Sequence, residues 1–319
     1  MTADPRTYGP LFERARSDIA ASFGISVPSR LLLTPGCTSA LATALRRIPW
    51  TAGDVVLSSA VEHEAVLSPI ADLVRNVGIE HRVVPYRQGT AFDLERYAEM
   101  LTEGRVRWVV VTAASNVTGE CLPLVEIIAQ ARRHGVQVLV DAAQVAGLQP
   151  LHFESLGADA VAFAGHKGPM APLGVGGLWL ADTCSIDIGF CDLGSVDLPS
   201  AVAMSRSLQW LSSDAAGEPC IAASLRDELR AALVQHPGCH VFGGEGPSTG
   251  VLSACFDGLA VGKAEAVFAA EGIVVRAGRH CAPSATAMLG APEGTVRFSF
   301  GRLNHPGDVD AVMRVIATL

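Results

Sequence analysis

The segment from residue 30 to residue 180 alternates short apolar stretches with amphipathic ones, and this alternation constrains the fold more than any other feature. Each apolar stretch has the length of one strand, and the stretches between them place apolar residues at helical spacing. Strands separated by helices are typical of βαβ units, which build a mostly parallel sheet. We therefore predict an α/β fold with a seven-stranded, mostly parallel sheet. The predicted strands lie near 30–34, 54–58, 81–85, 107–113, 137–141, 159–163 and 175–180, and the helices near 9–23, 38–47, 63–77, 93–103 and 123–134.

The pattern changes after residue 200, where two helical stretches precede shorter strands. Strands are predicted near 250–256, 273–276 and 295–300, and helices near 262–271 and 306–318. Short strands mixed with helices are typical of a small α+β domain. We expect residues 25–200 to form a large domain, and residues 1–24 and 201–319 to form the small one.

Composition excludes several classes of partner. The chain has 24 basic and 32 acidic residues, a net charge of −8 and no basic cluster with aromatics, so we expect no nucleic-acid partner. Charged residues or prolines interrupt every apolar run before it could cross a bilayer, and the N-terminal residues lack the apolar core of a signal peptide. We therefore expect a cytoplasmic protein with no membrane association. The eight cysteines include no CxxC pair, so neither a metal site nor a disulfide framework is predicted.

Only two residues carry a primary amine on the side chain, Lys167 and Lys263, because the other 22 basic residues are arginines. Lys167 follows an apolar stretch and lies in the sequence FAGHKGPM, where its amine could form an imine with an aldehyde cofactor. A solvated loop lysine is the alternative from this segment alone. Lys263 lies at a predicted helix start and is expected to be a surface residue.

Other polar residues follow predicted strands, at the edge of a parallel sheet where ligands gather. Asp141 ends the stretch VQVLVD, where its carboxylate suits a protonated ring nitrogen or caps a turn. His63 follows the second sheet strand and either stacks on a planar ligand or lies on a helix surface. Thr38 lies at a predicted helix N-terminus, which favours a phosphate but is also a common place for a helix cap.

Two residues near the C-terminus also suggest chemistry. Cys281 lies in the sequence VVRAGRHCAPSA, where nearby cations favour its nucleophilic thiolate, with an inert buried cysteine as the alternative. Arg297 lies inside an alternating apolar strand, where an unpaired charge is costly, so a carboxylate partner is expected. A substrate carboxylate and an internal Asp or Glu are equally compatible with this position.

Taken together, the motifs resemble those of a known family. In order, they are TPGCTSA, EHEAV, SNVTGECLPLVEI, VDAAQVAG, AGHKGPMAPLGVGGL, VVRAGRHCAP and GTVRFSFGRLN, within residues 30–180 and 250–319. The series resembles the cysteine-desulfurase branch of the class V aminotransferases, which are fold-type I enzymes dependent on pyridoxal 5′-phosphate (PLP). The short RHCAP context resembles the group II desulfurases, which also accept selenocysteine.

The resemblance implies a role for each motif residue. Lys167 would carry PLP covalently and take the Cα proton of the substrate. Cys281 would attack the sulfur of the bound cysteine and become a persulfide, with alanine released. The remaining implied contacts are Asp141 at the pyridine nitrogen, Gln144 at the ring hydroxyl, His63 stacked on the ring as a further catalytic residue, Thr38 and His166 at the phosphate, Cys37 also in the cofactor site, and Asn116, Arg297 and Arg276 around the substrate.

The sequence also departs from the family pattern. Ser39 stands where Glu is common, and Ala164 stands where a phosphate-binding Ser often occurs. The chain is short before residue 8 and between residues 180 and 194, and GSVDLPSAV matches the family's subunit-contact segment poorly. In the family these regions build the substrate entrance and the dimer contact, so the sequence indicates the cofactor more specifically than the substrate. The resemblance implies a homodimer.

These features support three hypotheses about function. The first is desulfuration of L-cysteine, or removal of selenium from selenocysteine, through Cys281, with an acceptor protein or a small thiol taking the sulfur. The second keeps PLP but makes the chain a C–S β-lyase or another specialised class V enzyme with a larger sulfur substrate. The third is a non-catalytic homologue that acts as a binding partner.

Overall fold

The computed structural model describes residues 5–87, 90–186, 197–213 and 221–318. Within these residues, seven apolar stretches form one sheet. Its strands are β1 Leu31–Thr34, β2 Val55–Ser59, β3 Glu80–Val84, β4 Val106–Thr112, β5 Gln137–Asp141, β6 Ala160–Ala164 and β7 Gly176–Leu180. Their order is β1-β7-β6-β5-β4-β2-β3, with β7 antiparallel to β1 and β6 and the other pairs parallel. The predicted α/β class and mostly parallel seven-stranded sheet are confirmed.

Helices cover both faces of this sheet, because its central strands are apolar on both sides. The helices in this part are α1 Pro5–Ser22, α2 Cys37–Arg47, α3 Glu64–Val77, α4 Leu94–Met100, α5 Leu124–Arg133 and α6 Phe153–Leu156, with a 3-10 turn at Pro28–Arg30. Successive side chains of a strand point to opposite faces. In β4, Trp108 and Val110 pack with the buried residues of α2 and α3, whereas Val109 and Val111 pack with those of α1 and α5.

The C-terminal part forms a second sheet with its own core. Its elements are α7 Leu198–Leu211, α8 Ala222–Gln235, β8 Cys239–Phe242, β9 Val251–Phe256, α9 Val261–Ala270, β10 Arg276–Gly278, α10 Pro283–Met288, β11 Thr295–Ser299 and α11 Pro306–Ile316. The strands are antiparallel in the order β10-β11-β9-β8. Leu229, Phe268 and Val296 are among its fully or almost fully buried residues. Strand β8 and the short helices α6 and α10 were not predicted.

Helix α1 packs in the core of the large sheet. Residues 1–24 were expected to join the small domain, yet Ile19 of α1 and Met204 of α7 lie fully buried in the core of the seven-stranded sheet. The apolar face of α1 is therefore covered by the large sheet and by α7, not by the core of residues 222–316. The domain boundaries themselves, 25–200 against 1–24 and 201–319, stay a prediction.

Parallel strands bring their C-terminal ends to one edge of the large sheet, where ligand sites form. Asp141 ends β5, and the loops after β2, β4 and β6 begin at the same edge. Among the described residues, no helix has the length and apolar character needed to cross a bilayer, and no three His, Cys, Asp or Glu side chains are arranged to hold a metal ion. Most of the shortened segment between residues 180 and 194 lies outside the described residues.

Candidate active site

Two adjoining cavities lie at this edge. The larger, of about 710 Å³, is bounded by loops of the large sheet and by β10, β11 and the loop between them, and the smaller has about 40 Å³. Of the predicted site residues, Lys167, Cys281, His63, Gln144, Asn116, Arg276 and Arg297 line the larger cavity, and Cys37, Thr38, Asp141, His63, Gln144, Asn116 and Lys167 line the smaller one. The fold therefore gathers residues that are far apart in sequence into one place.

Lys167 follows β6 in a tight loop that packs against the loop after β5. Its carbonyl accepts a hydrogen bond from Met170 N (2.9 Å). A Cβ on Gly168 would lie 2.2 Å from the carbonyl oxygen of Ala146, so this approach requires glycine. The Lys167 side chain is exposed to the cavity and pairs with no carboxylate of the described residues. Its amine is thus held beside the Asp141 loop without an internal partner.

Asp141 is buried and fixed through one carboxylate oxygen. Oδ1 accepts hydrogen bonds from the Cys37 thiol (3.3 Å) and from Ala143 N (2.9 Å). Burial, reinforced by the neighbouring carboxylate, raises the pKa of Cys37, so its thiol stays protonated and donates. Oδ2 makes no hydrogen bond within the described part of the chain. The carboxylate therefore has a fixed orientation and a free oxygen at the smaller cavity.

His63 caps the N-terminus of α3 with its ring. Nδ1 accepts a hydrogen bond from Ala65 N (2.9 Å), so the neutral ring carries its proton on Nε2. Burial lowers the pKa of His63 and outweighs the opposite effect of Asp141. A neutral, half-buried ring in the wall of both cavities suits stacking on a planar ligand.

Arg297 places a half-buried positive charge in the larger cavity. Its Nη1 donates to the carbonyl of Asn116 (3.0 Å), and its Nε is buried without a partner. Burial lowers the pKa of Arg297, and Arg276, its cross-strand neighbour, adds to the effect. No carboxylate of the described residues pairs with Arg297. By contrast, Nε of the exposed Arg276 lies 3.8 Å from Oε1 of Glu265. The sequence left open whether Arg297 pairs with a substrate carboxylate or with an internal Asp or Glu. The structure favours a carboxylate of a bound ligand.

Cys281 lies in a loop with unusual backbone geometry. His280 and Cys281 have φ angles of 54° and 53°, in the left-handed region that residues with a Cβ rarely adopt. The His280 carbonyl accepts a hydrogen bond from Asn116 Nδ2 (2.7 Å), and Nε2 of its ring lies 2.9 Å from Thr295 Oγ1. The Cys281 carbonyl accepts one from Glu64 N (2.8 Å). The exposed thiol is thus carried by a strained but well-bonded backbone.

Known proteins are similar to this chain in sequence and fold. The sequence model of the family described as aminotransferase class V matches residues 7–188 and 191–312, almost the whole chain. The chain belongs to the class V aminotransferase family. A probable cysteine desulfurase of Pseudomonas aeruginosa is 31% identical over 94% of this chain and 80% of its own length.

Solved structures agree with this assignment. The cysteine desulfurase CsdA of Escherichia coli superposes with a TM-score of 0.87 at 26% identity, covering 100% of this chain and 86% of its own. The cystine C–S lyase C-DES, in complex with its product cysteine persulfide, has a TM-score of 0.85 at 23% identity over 99% of this chain and 88% of its own. A C-DES variant with glycine covalently linked to its PLP cofactor has a TM-score of 0.83, also at 23% identity, over 99% of this chain and 87% of its own. At that identity C-DES shows the fold alone. The predicted family and its fold-type I architecture are confirmed.

One predicted site residue lines neither cavity, and two residues near the site were not singled out from the sequence. His166 is exposed and lines neither cavity, so its contact with a phosphate stays a prediction. Glu62 is buried beside the site, and burial raises its pKa to about 8 although Thr112 N donates to its Oε1 (2.9 Å). The second residue is His280, whose carbonyl accepts a hydrogen bond from Asn116 Nδ2. A carboxylate inside the apolar stretch SSAVEH was a signal for Glu62, but nothing in the sequence marks the left-handed backbone of His280.

Proposed function

We propose that the chain is a PLP-dependent cysteine desulfurase, which removes sulfur from L-cysteine and releases alanine. The observation that supports this most is that Lys167, in the loop after β6, and Cys281, in the loop between β10 and β11, line the larger cavity together with Arg297, which lacks a carboxylate partner among the described residues. An amine for a carbonyl cofactor, a thiol nucleophile and a cation for an amino-acid carboxylate are the groups that this reaction requires.

The residues present fit PLP. Lys167 offers an unpaired amine to the aldehyde, and Asp141 offers Oδ2 to the pyridine nitrogen. The neutral ring of His63 suits stacking on the cofactor ring. Thr38 lies in the first turn of α2, where N–H groups and the helix dipole favour a phosphate. When bound, PLP withdraws electrons from the substrate Cα, with the protonated ring nitrogen held by a carboxylate.

The chain's own residues supply the remaining steps. Arg297 holds the substrate carboxylate, and the Lys167 amine takes the proton from Cα. The Cys281 thiolate attacks the substrate sulfur, so that a sulfur–sulfur bond forms and the bond from sulfur to Cβ breaks. The electron pair stays with Cβ, which takes up a proton, Cα regains a proton from Lys167, and alanine leaves. A second thiol then accepts the outer sulfur of the Cys281 persulfide and regenerates the Cys281 thiol.

The test is incubation of the PLP-loaded protein with L-cysteine and a reducing thiol, with alanine, sulfide and pyruvate measured together. Alanine and sulfide should appear in equal amounts. Cys281→Ala should abolish both, while Cys239→Ala, at a half-buried cysteine in β8, should retain them. Pyruvate in place of alanine, unaffected by Cys281→Ala, would contradict a desulfurase and indicate a lyase.

A C–S β-lyase is the second candidate. The larger cavity, of about 710 Å³, supports it, since such a volume suits a substrate larger than cysteine. L-cystine supplied to the Cys281→Ala variant separates the two activities, because a β-elimination that depends on Lys167 does not need the thiol. A protein without a PLP absorption band after loading would favour the non-catalytic homologue instead.

We also propose the partners that the family resemblance implies. These are an acceptor protein or small thiol for the sulfur and a second copy of the chain in a homodimer, in the cytoplasm. Sedimentation velocity of the loaded protein tests the dimer, and transfer of radiolabelled sulfur from L-cysteine to candidate thiols tests the acceptor.

A further inference from the structure

The loop that carries Cys281 is bonded to the large sheet's side of the cavity through two consecutive carbonyls. The His280 carbonyl accepts from Asn116 Nδ2 (2.7 Å), and the Cys281 carbonyl accepts from Glu64 N (2.8 Å). We call these two hydrogen bonds the loop clamp. Asn116 precedes His280 by 164 residues, so the clamp joins segments that are remote in sequence.

Each donor of the clamp is itself fixed. Asn116 is 5% exposed, and its own carbonyl accepts from Arg297 Nη1 (3.0 Å). Glu64 is the first residue of α3, directly after the cap His63. N–H groups in the first helical turn have no acceptor within the helix, so Glu64 N can bind a group from elsewhere. The clamp therefore ties the Cys281 loop to the helix end that also presents His63.

The clamp opposes a backbone preference. Left-handed φ angles at two successive residues with a Cβ are unfavourable, and such geometry persists only where the surroundings enforce it. A change of φ at Cys281 would redirect its Cα–Cβ bond and move the thiol. Among the described residues, the donors outside the small sheet that hold this geometry are Asn116 Nδ2, bonded to the His280 carbonyl, and Glu64 N, bonded to the Cys281 carbonyl.

We propose that Glu64 and Asn116 are positioning residues, whose two hydrogen bonds hold the Cys281 thiol in the orientation required for attack on the substrate sulfur. The inference rests on the proposed function for the identity of that step. Since Cα deprotonation uses Lys167 and not the thiol, loss of the clamp should slow sulfur transfer and leave proton removal intact.

The substitution pair Glu64→Pro and Glu64→Ala isolates one bond of the clamp. Proline has no N–H, suits the first position of a helix, and is compatible with the extended backbone of His63 (φ −78°, ψ 153°). Alanine removes the same carboxylate but keeps the N–H. We expect Glu64→Pro to form alanine from L-cysteine about tenfold more slowly than Glu64→Ala. Exchange of the α-hydrogen of L-alanine in D₂O should be the same in both variants within about twofold. Equal desulfuration rates in the two variants would overturn the proposal.

Hydrogen exchange provides a second measurement that does not depend on turnover. The Glu64 amide of the wild-type protein should exchange at least about tenfold more slowly than an unprotected amide, because Cys281 accepts its proton. Asn116→Asp, which replaces the donor with an oxygen, should weaken this protection and serves if Glu64→Pro does not fold. An unprotected Glu64 amide would reject the clamp. If the Glu64 amide is protected but the wild-type protein forms no alanine from L-cysteine, the proposed function is rejected instead.

Discussion

The two sides of the cavity are built in different ways. On the cofactor side, Asp141, Lys167 and Thr38 follow directly from strand ends and a helix start, and none of the three has a positive φ angle. On the nucleophile side, Cys281 depends on a left-handed turn and on donors from distant segments. The contrast indicates that the fold itself determines the place for a cofactor, whereas the thiol is placed by a few specific bonds that single substitutions can remove.

The largest effect is expected from replacing Lys167, which carries the amine on the cofactor side. Lys167→Ala should abolish turnover, by more than about 10³-fold, because both the imine and the base at Cα are lost. Lys263→Ala removes the other lysine, an exposed residue of α9, and should leave activity unchanged. Borohydride reduction followed by peptide mapping should find the cofactor on Lys167 in the wild-type protein. Label on Lys263 would refute the assignment.

Much of the cofactor side could be predicted, because short-range rules determine it. A stretch of buried apolar residues such as VQVLVD must be a strand, and parallel strands bring residues such as Asp141 to one edge. Strand β8 was not predicted because it is a four-residue edge strand with no fully buried residue, too short to show a clear alternation of buried and exposed positions. The element that covers α1 could not be predicted, since an amphipathic pattern shows that a helix face is covered but not which element covers it.

The next largest effect compares two arginines on neighbouring strands. Arg297→Lys keeps a charge but loses the planar fork that binds a carboxylate through two bonds. The second-order rate constant for L-cysteine should fall about 10- to 100-fold, mostly through KM. Arg276→Lys, at an exposed position opposite Arg297, should have a smaller effect. Steady-state kinetics of both variants decides the matter, and a larger loss at Arg276 would contradict the role given to Arg297.

A smaller effect is expected from the thiol that holds Asp141. Cys37→Ala removes one of two donors to a buried carboxylate and should lower the free energy of unfolding of the cofactor-free protein by about 1–2 kcal/mol. Cys37→Ser keeps a donor and should lose less. Chemical denaturation without PLP measures both variants. If alanine and serine destabilise the protein equally, the hydrogen bond from Cys37 does not stabilise Asp141.

The nucleophile side could not be predicted in the same way. The sequence shows that cations lie near Cys281. It does not predict the left-handed backbone at His280 and Cys281, because neither residue is a glycine. Its bonds come from Asn116 and Glu64, whose distance in sequence gives no local signal. That Asn116 binds substrate stays a prediction. In the structure its Nδ2 donates to the His280 carbonyl, and its Oδ1 is buried without a partner.

The smallest expected effect concerns Glu62, a buried titratable residue on the cofactor side. Burial raises the pKa of Glu62 to about 8, from 4.5 in a free side chain, so the folded protein retains a proton that the unfolded chain loses. Stability from this group is complete below pH 4.5 and is lost as the pH rises toward 8. Relative to Glu62→Gln, the free energy of unfolding of the wild-type protein should therefore fall by about 1 kcal/mol between pH 5 and pH 6. The same substitution at the exposed Glu126 should retain the wild-type pH dependence. Parallel stability curves for wild type and Glu62→Gln would mean that this carboxyl is ionised in the folded protein, and that Ser59 and Thr112 stabilise its charge in spite of burial.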